Sequence, residues 1–139
     1  MKTFLDSSAF AKRFIDEPGS QAVDAICVGA TELALSVVCV PEVFSALNRR
    51  VRERKLSRQQ YDEAKKRLSA EVEDAVIVNL TSPVIAMCIT ILEDSPIRSM
   101  DALHIACAIQ WEPGLFVSAD KQQIAAARKA GLRTQLIQS

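Results

Sequence analysis

Short apolar runs alternate with longer segments of helical periodicity along the whole chain. The first run, Thr3-Phe4-Leu5, is bounded by polar residues and is typical of a buried strand. Segments with apolar residues at every third or fourth position separate such runs. This alternation predicts a parallel sheet of about five strands that is flanked by helices. The predicted strands span residues 2–5, 33–36, 76–78, 115–117 and 134–137.

Turn-forming and capping residues set the predicted helix boundaries. Pro18-Gly19 ends the first helix, and Pro41 falls in the first turn of the third. Ser57 and Gln60 have the spacing of a capping box that begins the fourth helix, and Ser99 is expected to cap the sixth. The predicted helices span residues 8–15, 20–30, 41–55, 57–72, 82–95, 100–110 and 121–129.

The composition is that of a globular protein, because 49% of the 139 residues are hydrophobic and 24% are charged. This length predicts one domain, residues 1–139, that is large enough to bury a core. The apolar stretch 84–92 is far shorter than the roughly 20 residues of a membrane span, and the N-terminus has no signal-peptide pattern. We therefore expect a cytoplasmic protein that does not associate with a membrane.

The cysteines and the single histidine do not have the pattern of a zinc site. No two cysteines are separated by two residues. Cys27, Cys39, Cys88 and Cys107 each lie among apolar residues and are expected to be small buried side chains. His104 follows Asp101 by three residues, but a di-iron site requires paired motifs on a helix bundle, so we expect a packing or hydrogen-bonding role.

Basic residues concentrate in one segment although the formal net charge is zero. Residues 49–67 contain nine basic and three acidic side chains, a charge of +6 that the rest of the chain balances. This segment indicates an anionic partner or, equally, a solvated helical face.

Four carboxylates are predicted to meet at one edge of the sheet. The carboxyl ends of parallel strands share an edge, and ligands bind in the crevice outside it. Asp6 directly follows the first strand, and Asp120 follows the fourth in the stretch Ser118-Ala119-Asp120. Glu42 and Asp101 lie in the first turns of helices that start from the same edge.

These acids could be helix caps alone, because the helix dipole favours negative charge in the first turn. Four acids in one crevice would, however, repel one another and raise the pKa of at least one of them. The sequence shows no basic residue at these junctions that clearly neutralises them, whereas a divalent cation would, and carboxylates suit Mg²⁺ or, as a substitute, Mn²⁺. The predicted ligands are Asp6, Glu42, Asp101 and Asp120, oriented by the hydroxyl groups of Ser8 and Ser118.

Four stretches of the chain resemble the motifs of the PIN-domain family, in particular its VapC-type toxins. FLDSSAFAKRFIDEPGS resembles the opening motif, in which a strand ends on Asp, and PEVFSALNRR supplies the Glu of the second motif. SMDALHIACA is similar to the third motif, and VSADKQ resembles the Thr/Ser-x-Asp motif. The four follow one another in the family's order across nearly the full chain.

The resemblance implies a three-layer α/β/α PIN-like domain with the activity of a Mg²⁺-dependent endoribonuclease. It further implies a homodimer and a cognate antitoxin that holds the enzyme inactive. The basic segment would contact the RNA backbone. The residues expected to do so are Arg49, Arg50, Arg52, Arg54 and Lys55.

Other functions remain open from the sequence. A non-catalytic PIN-like binding or scaffold module would keep the fold, although such modules lose the acids that this chain retains. A PIN nuclease could also act in rRNA processing or on DNA. A phosphoacceptor receiver domain is disfavoured, because it requires an acid at the end of the third strand and residues 76–80 contain none.

Overall fold

The sheet has five parallel strands, as predicted. The structure is a computed structural model that describes residues 1–139. The strands are β1 (Lys2–Leu5), β2 (Glu32–Ser36), β3 (Val76–Val78), β4 (Leu115–Ser118) and β5 (Thr134–Leu136). They lie in the order β3-β2-β1-β4-β5, and each neighbouring pair is parallel.

Seven α-helices connect and cover the strands. They are α1 (Ser7–Phe10), which a 3₁₀ turn (Ala11–Arg13) extends, α2 (Ser20–Gly29), α3 (Cys39–Arg52), α4 (Arg58–Asp74), α5 (Ser82–Asp94), α6 (Ser99–Trp111) and α7 (Lys121–Lys129). The predicted capping box at the start of α4 is present with both of its hydrogen bonds. None of the helices is long and apolar enough to cross a membrane.

The first helix differs from its prediction at both ends. Asp6 caps it by accepting a hydrogen bond from the Ala9 N–H at 3.0 Å, which starts the helix one residue early. The α-helix ends at Phe10 and a 3₁₀ turn follows, so the predicted end at Ile15 is wrong. The N–H groups of Phe14 and Ile15 both donate to the carbonyl of Ala11. The chain thus winds more tightly here than in an α-helix, and the regular helix does not continue.

Three other predicted helix starts also differ from the structure by one or two residues, and the smallest difference is that α4 begins at Arg58, directly after its cap. α3 begins at Cys39, but Pro41 still lies in the first turn, where a missing N–H breaks no helical hydrogen bond. α6 begins at Ser99 itself, so Ser99 cannot be its cap. Arg98 precedes the helix in an extended conformation and makes no side-chain capping bond.

Hydrophobic side chains form one core on each face of the sheet. Neighbouring residues of a strand point to opposite faces, and Leu5 joins the core under α1 to α4 while Phe4 joins the core under α5 to α7. Phe4 stacks on Phe116 of β4 with ring centroids 5.8 Å apart. Two cores on one sheet confirm the three-layer α/β/α architecture.

The cysteines pack in or beside these two cores. Cys39, Cys88 and Cys107 are buried, as predicted, whereas Cys27 is half-buried, and all four are free thiols. Burial raises the pKa of the Cys39 thiol to about 12, so this side chain stays protonated and unreactive.

Candidate functional site

One cleft at the carboxyl edge of the sheet is lined by all four predicted acids. Leu5 of β1 is in register with Val117 of β4, so the residues that follow these two strands leave the sheet side by side. The cleft has a volume of about 690 Å³. The four predicted acids, Asp6, Glu42, Asp101 and Asp120, come from separate segments of the chain, and Glu17 lines the cleft as a fifth.

Asp6 is buried and held by three donors. Its Oδ1 accepts hydrogen bonds from Ser8 Oγ at 2.8 Å and Ala9 N at 3.0 Å, and its Oδ2 accepts from Ser118 Oγ at 2.6 Å. Burial raises the pKa of this carboxyl, and the hydrogen bonds offset only part of that effect. The predicted raised pKa is therefore present, but desolvation causes it rather than crowding by the other acids.

The loops that follow β1 and β4 are joined by hydroxyl groups. Ser8 Oγ accepts a hydrogen bond from Ala119 N at 3.0 Å and lies 3.3 Å from Ser118 Oγ. Ser118 Oγ in turn accepts from Asp120 N at 3.0 Å. The two serines singled out in the sequence thus fix the orientation of Asp6 and the start of the Asp120 loop.

Glu42 is held through one of its two oxygens. Its Oε1 accepts a 2.5 Å hydrogen bond from Ser7 Oγ and lies 2.6 Å from Nε2 of the buried His104. Burial acts to raise the pKa of Glu42, but the bonds from His104 and Ser7 and the positive charge of Arg98 outweigh it and lower the pKa. Glu42 is therefore an ionised group in a cleft where Asp6 is harder to ionise.

Asp101 has a basic neighbour that sequence reasoning missed. Arg98 Nε lies 3.5 Å from Asp101 Oδ2, and Arg98 also lines the cleft. One basic side chain therefore lies among the acids, which the sequence did not predict. The sequence contained a sign of this pairing, because Arg98 and Asp101 are three residues apart at the start of a helix, a spacing that brings two side chains to one face. Arg98 is 85% exposed, so this pairing is weak.

Asp120 both caps a helix and lines the cleft. Its Oδ1 accepts hydrogen bonds from Gln122 N at 2.8 Å and Gln123 N at 3.2 Å, which makes it the cap of α7. Its Oδ2 has no hydrogen-bond partner. Capping and a position in the cleft are therefore compatible, because each uses a different oxygen.

The carboxylates keep oxygen atoms that could bind a cation. Glu42 Oε2, Asp101 Oδ1 and Asp120 Oδ2 have no hydrogen-bond partner, and Asp6 Oδ2 accepts only one bond. No three His, Cys, Asp or Glu side chains are close enough to form a ready metal centre. The donor chemistry fits Mg²⁺ or Mn²⁺, and binding would require these side chains to draw together.

Basic residues of α3 line the same cleft as the acids. Arg49 and Arg50 of α3 are among its lining residues, whereas Arg52, Arg54 and Lys55 are not. Arg50 pairs with Glu17 Oε2 at 2.9 Å, and the other oxygen of this carboxylate pairs with the buried Lys12 at 3.1 Å. Arg49 makes no ion pair and is exposed. Of the five residues predicted to bind RNA, two thus line the cleft and three do not.

Comparison with known proteins gives a family and a fold. The family model described as PIN domain matches residues 3–129. A search of curated proteins finds no match.

Solved structures of low sequence identity share this fold. FitAcB from Neisseria gonorrhoeae superposes with a TM-score of 0.68, 17% identity and 95% coverage of each chain. The Mycobacterium tuberculosis VapC20, described as a Sarcin-Ricin loop cleaving toxin, has a TM-score of 0.69 and 17% identity, over 94% of this chain and 95% of its own. VapBC2 from Rickettsia felis, bound to a DNA fragment from its promoter, has a TM-score of 0.70 and 12% identity, with 98% of each chain covered.

Proposed function

Because this chain belongs to the PIN domain family, we propose that it is a metal-dependent endoribonuclease and the toxin of a toxin–antitoxin pair. The observation that carries the proposal is the meeting of Asp6, Glu42, Asp101 and Asp120 in one cleft that Arg49 and Arg50 also line. Carboxylates that bind a cation beside guanidinium groups that bind phosphate are the parts that phosphodiester hydrolysis requires. The similarity to VapC20, which is described as a toxin, supports the toxin assignment.

Asp6 and Asp101, with Glu42 and Asp120, are proposed to hold Mg²⁺, for which Mn²⁺ can substitute. The bound cation supplies polarisation of the scissile phosphate and a lower pKa of an attacking water. Ser8 and Ser118 hold the carboxylate of Asp6 in one orientation, since both donate hydrogen bonds to it. The contribution of the protein is therefore a fixed carboxylate at the base of the cleft.

The cleft also offers groups that can accept a proton. Glu42 is ionised, and its unpaired Oε2 can take a proton from the attacking water, as can Oδ2 of Asp120. Attack by the water oxygen on phosphorus forms one P–O bond and breaks the bond to the 3′ oxygen, which takes up a proton. The products are a 5′-phosphate and a 3′-hydroxyl.

The RNA strand is proposed to lie along the basic segment. Arg49 and Arg50 would contact the phosphates next to the scissile bond, because they line the cleft. Arg52, Arg54 and Lys55, near the end of α3, would contact phosphates further along the strand. Such contacts depend on charge and weaken as the salt concentration rises.

Two protein partners complete the proposal. A cognate antitoxin would hold the nuclease inactive, in keeping with the toxin–antitoxin complexes among the structures of the same fold. A homodimer would form through an apolar stripe on α5, where Ile85, Ile89 and Leu92 are 42%, 54% and 37% exposed. Their spacing places them on one side of the helix, and an exposed apolar stripe usually marks an interface.

The direct test is cleavage of RNA by the purified protein with Mg²⁺ or Mn²⁺ and with EDTA. Asp6→Asn and Asp101→Asn should each lower the rate at least about 100-fold while the protein stays folded. Asp62→Asn is the matched control, because Asp62 is an exposed acid of α4 that pairs only with Arg58. Equal rates in the wild type and both cleft variants would exclude the metal site. Cleavage of DNA and not RNA of the same sequence would exclude the ribonuclease.

A further inference from the structure

His104 is the only histidine of the chain, and the proposed reaction gives it no role. It lies on α6, three residues after Asp101, and is 2% exposed. Its Nε2 is 2.6 Å from Glu42 Oε1 and 3.1 Å from Ser7 Oγ. A side chain that served packing alone would not need to bring a ring nitrogen to a carboxylate of the cleft.

The hydrogen-bond pattern defines what the ring does. Glu42 Oε1 can only accept, so His104 Nε2 carries the hydrogen and donates it, and Ser7 Oγ donates to the same oxygen at 2.5 Å. The other ring nitrogen of His104, Nδ1, is buried and has no partner. An unpaired buried atom is a cost that a purely apolar residue of similar volume would avoid, which points to a purpose for the Nε2 bond.

We propose that His104 is a positioning residue: together with Ser7 it fixes Oε1 of Glu42, so that Oε2 is the oxygen left for the cleft. This pair of hydrogen bonds is the Glu42 tether. A glutamate side chain has three rotatable bonds, and holding it in one conformation has an entropic cost that the two donors offset. A role of the tether in catalysis rests on the proposed function. The two hydrogen bonds of the tether do not depend on that function.

The position of His104 in the chain adds a second consequence. α6 carries both Asp101 and the group that orients Glu42, so one helix sets the placement of two acids of the cleft. The side chains of residues three apart on a helix lie on the same face. The Asp101-x-x-His104 spacing therefore links α3 to α6 at the cleft through the hydrogen bond between His104 and Glu42. In this arrangement the histidine binds no metal.

A double-mutant cycle tests this inference. His104→Leu keeps the volume and removes the donor, whereas His104→Gln keeps an N–H that can reach Glu42. We expect His104→Leu to weaken Mn²⁺ binding, measured by calorimetry, by about 10- to 100-fold, and His104→Gln to retain most of the affinity. In a Glu42→Gln background, His104→Leu should have no further effect. An equal loss in both His104 variants, or full additivity with Glu42→Gln, would show a structural role only.

A measurement without metal or RNA separates this inference from the proposed function. The ¹⁵N signals of His104 should show hydrogen on Nε2 in the wild type, with a slowly exchanging Nε2–H that is lost in Glu42→Ala. The Nδ1–H tautomer would overturn the tether. If His104→Leu does not fold, Ser7→Ala removes the other donor and should weaken Mn²⁺ binding in the same direction, and an unchanged affinity there would count against the tether. The proposed function fails instead if Asp6→Asn leaves cleavage intact.

Discussion

Ser118 Oγ donates a 2.6 Å hydrogen bond to Asp6 Oδ2 and so links the end of β4 to the residue that follows β1. The register of the sheet creates this contact, because Leu5 and Val117 are paired and the next residues stand opposite each other. Both side chains are buried. A hydroxyl thus reaches a buried carboxylate at the point where the chain leaves the sheet.

Removal of this hydroxyl should destabilise the fold. Ser118→Ala leaves a buried carboxylate with one donor fewer, which we expect to lower the free energy of unfolding by about 1–3 kcal/mol at neutral pH. Urea unfolding measures the change. Ser69→Ala, at an exposed position of α4 without a side-chain hydrogen bond, should change stability by less than about 0.5 kcal/mol. A loss of the same size in both variants would mean that the hydrogen bond from Ser118 to Asp6 does not stabilise the fold.

The two acids with shifted pKa values should respond to pH in opposite directions. Asp6 has a raised pKa in the folded state, so the fold binds its proton more tightly, and its contribution to stability falls as pH rises above 3.8 through the raised value. Glu42 has a lowered pKa, so its contribution is present above 4.5 and is lost as pH falls through the folded value.

Unfolding free energies with EDTA, from about pH 3 to about pH 7, test this contrast. The wild type should lose stability relative to Asp6→Asn as pH rises, and should gain stability relative to Glu42→Gln over the lower part of that range. The same slope in both comparisons would contradict the environments seen in the structure.

The sequence predicts the architecture well because buried positions recur with the period of a strand or a helix, and apolar residues occupy them. Apolar runs at Phe4 and Phe116 mark strands, and the order of strands and helices places Asp6 and Asp120 at one edge. The convergence of the acids follows from topology alone, because all parallel strands end on the same side. This part of the site required no knowledge of side-chain contacts.

The remaining features depend on contacts between distant elements. His104 and Glu42 are 62 residues apart in sequence and meet only because α6 and α3 reach the same cleft. Periodicity tells which face of a helix is buried, but not which group of another helix that face contacts. Arg98 was missed for a different reason: a base next to an acid at a helix start is common, and only the cleft shows that it lies among the acids.

Metal binding should stabilise the folded protein. Mg²⁺ or Mn²⁺ that binds the folded state alone raises the free energy of unfolding by about 2.7 kcal/mol at 100 times the dissociation constant. We expect excess Mn²⁺ to raise the melting temperature of the wild type and to raise that of Asp101→Asn much less. In EDTA the variant and the wild type should differ by less than about 0.5 kcal/mol, because Asp101 pairs only weakly with the exposed Arg98. Equal shifts in both proteins would mean that Asp101 takes no part in binding the cation.

The basic segment should divide into two groups in RNA-binding experiments. For single-stranded RNA of about four nucleotides, Arg49→Gln and Arg50→Gln should each reduce the slope of log affinity against log salt by roughly 0.7. Arg52→Gln and Arg54→Gln should leave it unchanged, because these side chains do not line the cleft. On longer RNA all four should matter. Equal effects of the four variants on the short RNA would place the strand outside the cleft.

The apolar stripe of α5 should set the oligomeric state. Ile89 is its most exposed member at 54%, so Ile89→Glu leaves the core intact but would place a charge in the centre of the proposed interface. We expect the dimer dissociation constant to rise at least about 100-fold, which sedimentation velocity measures as a shift to monomer. Val28→Glu is the control, because Val28 is 84% exposed and is the one large exposed hydrophobic residue of α2. A wild type that stays monomeric at high protein concentration, or a dimer that survives Ile89→Glu, would show that this stripe does not join two copies.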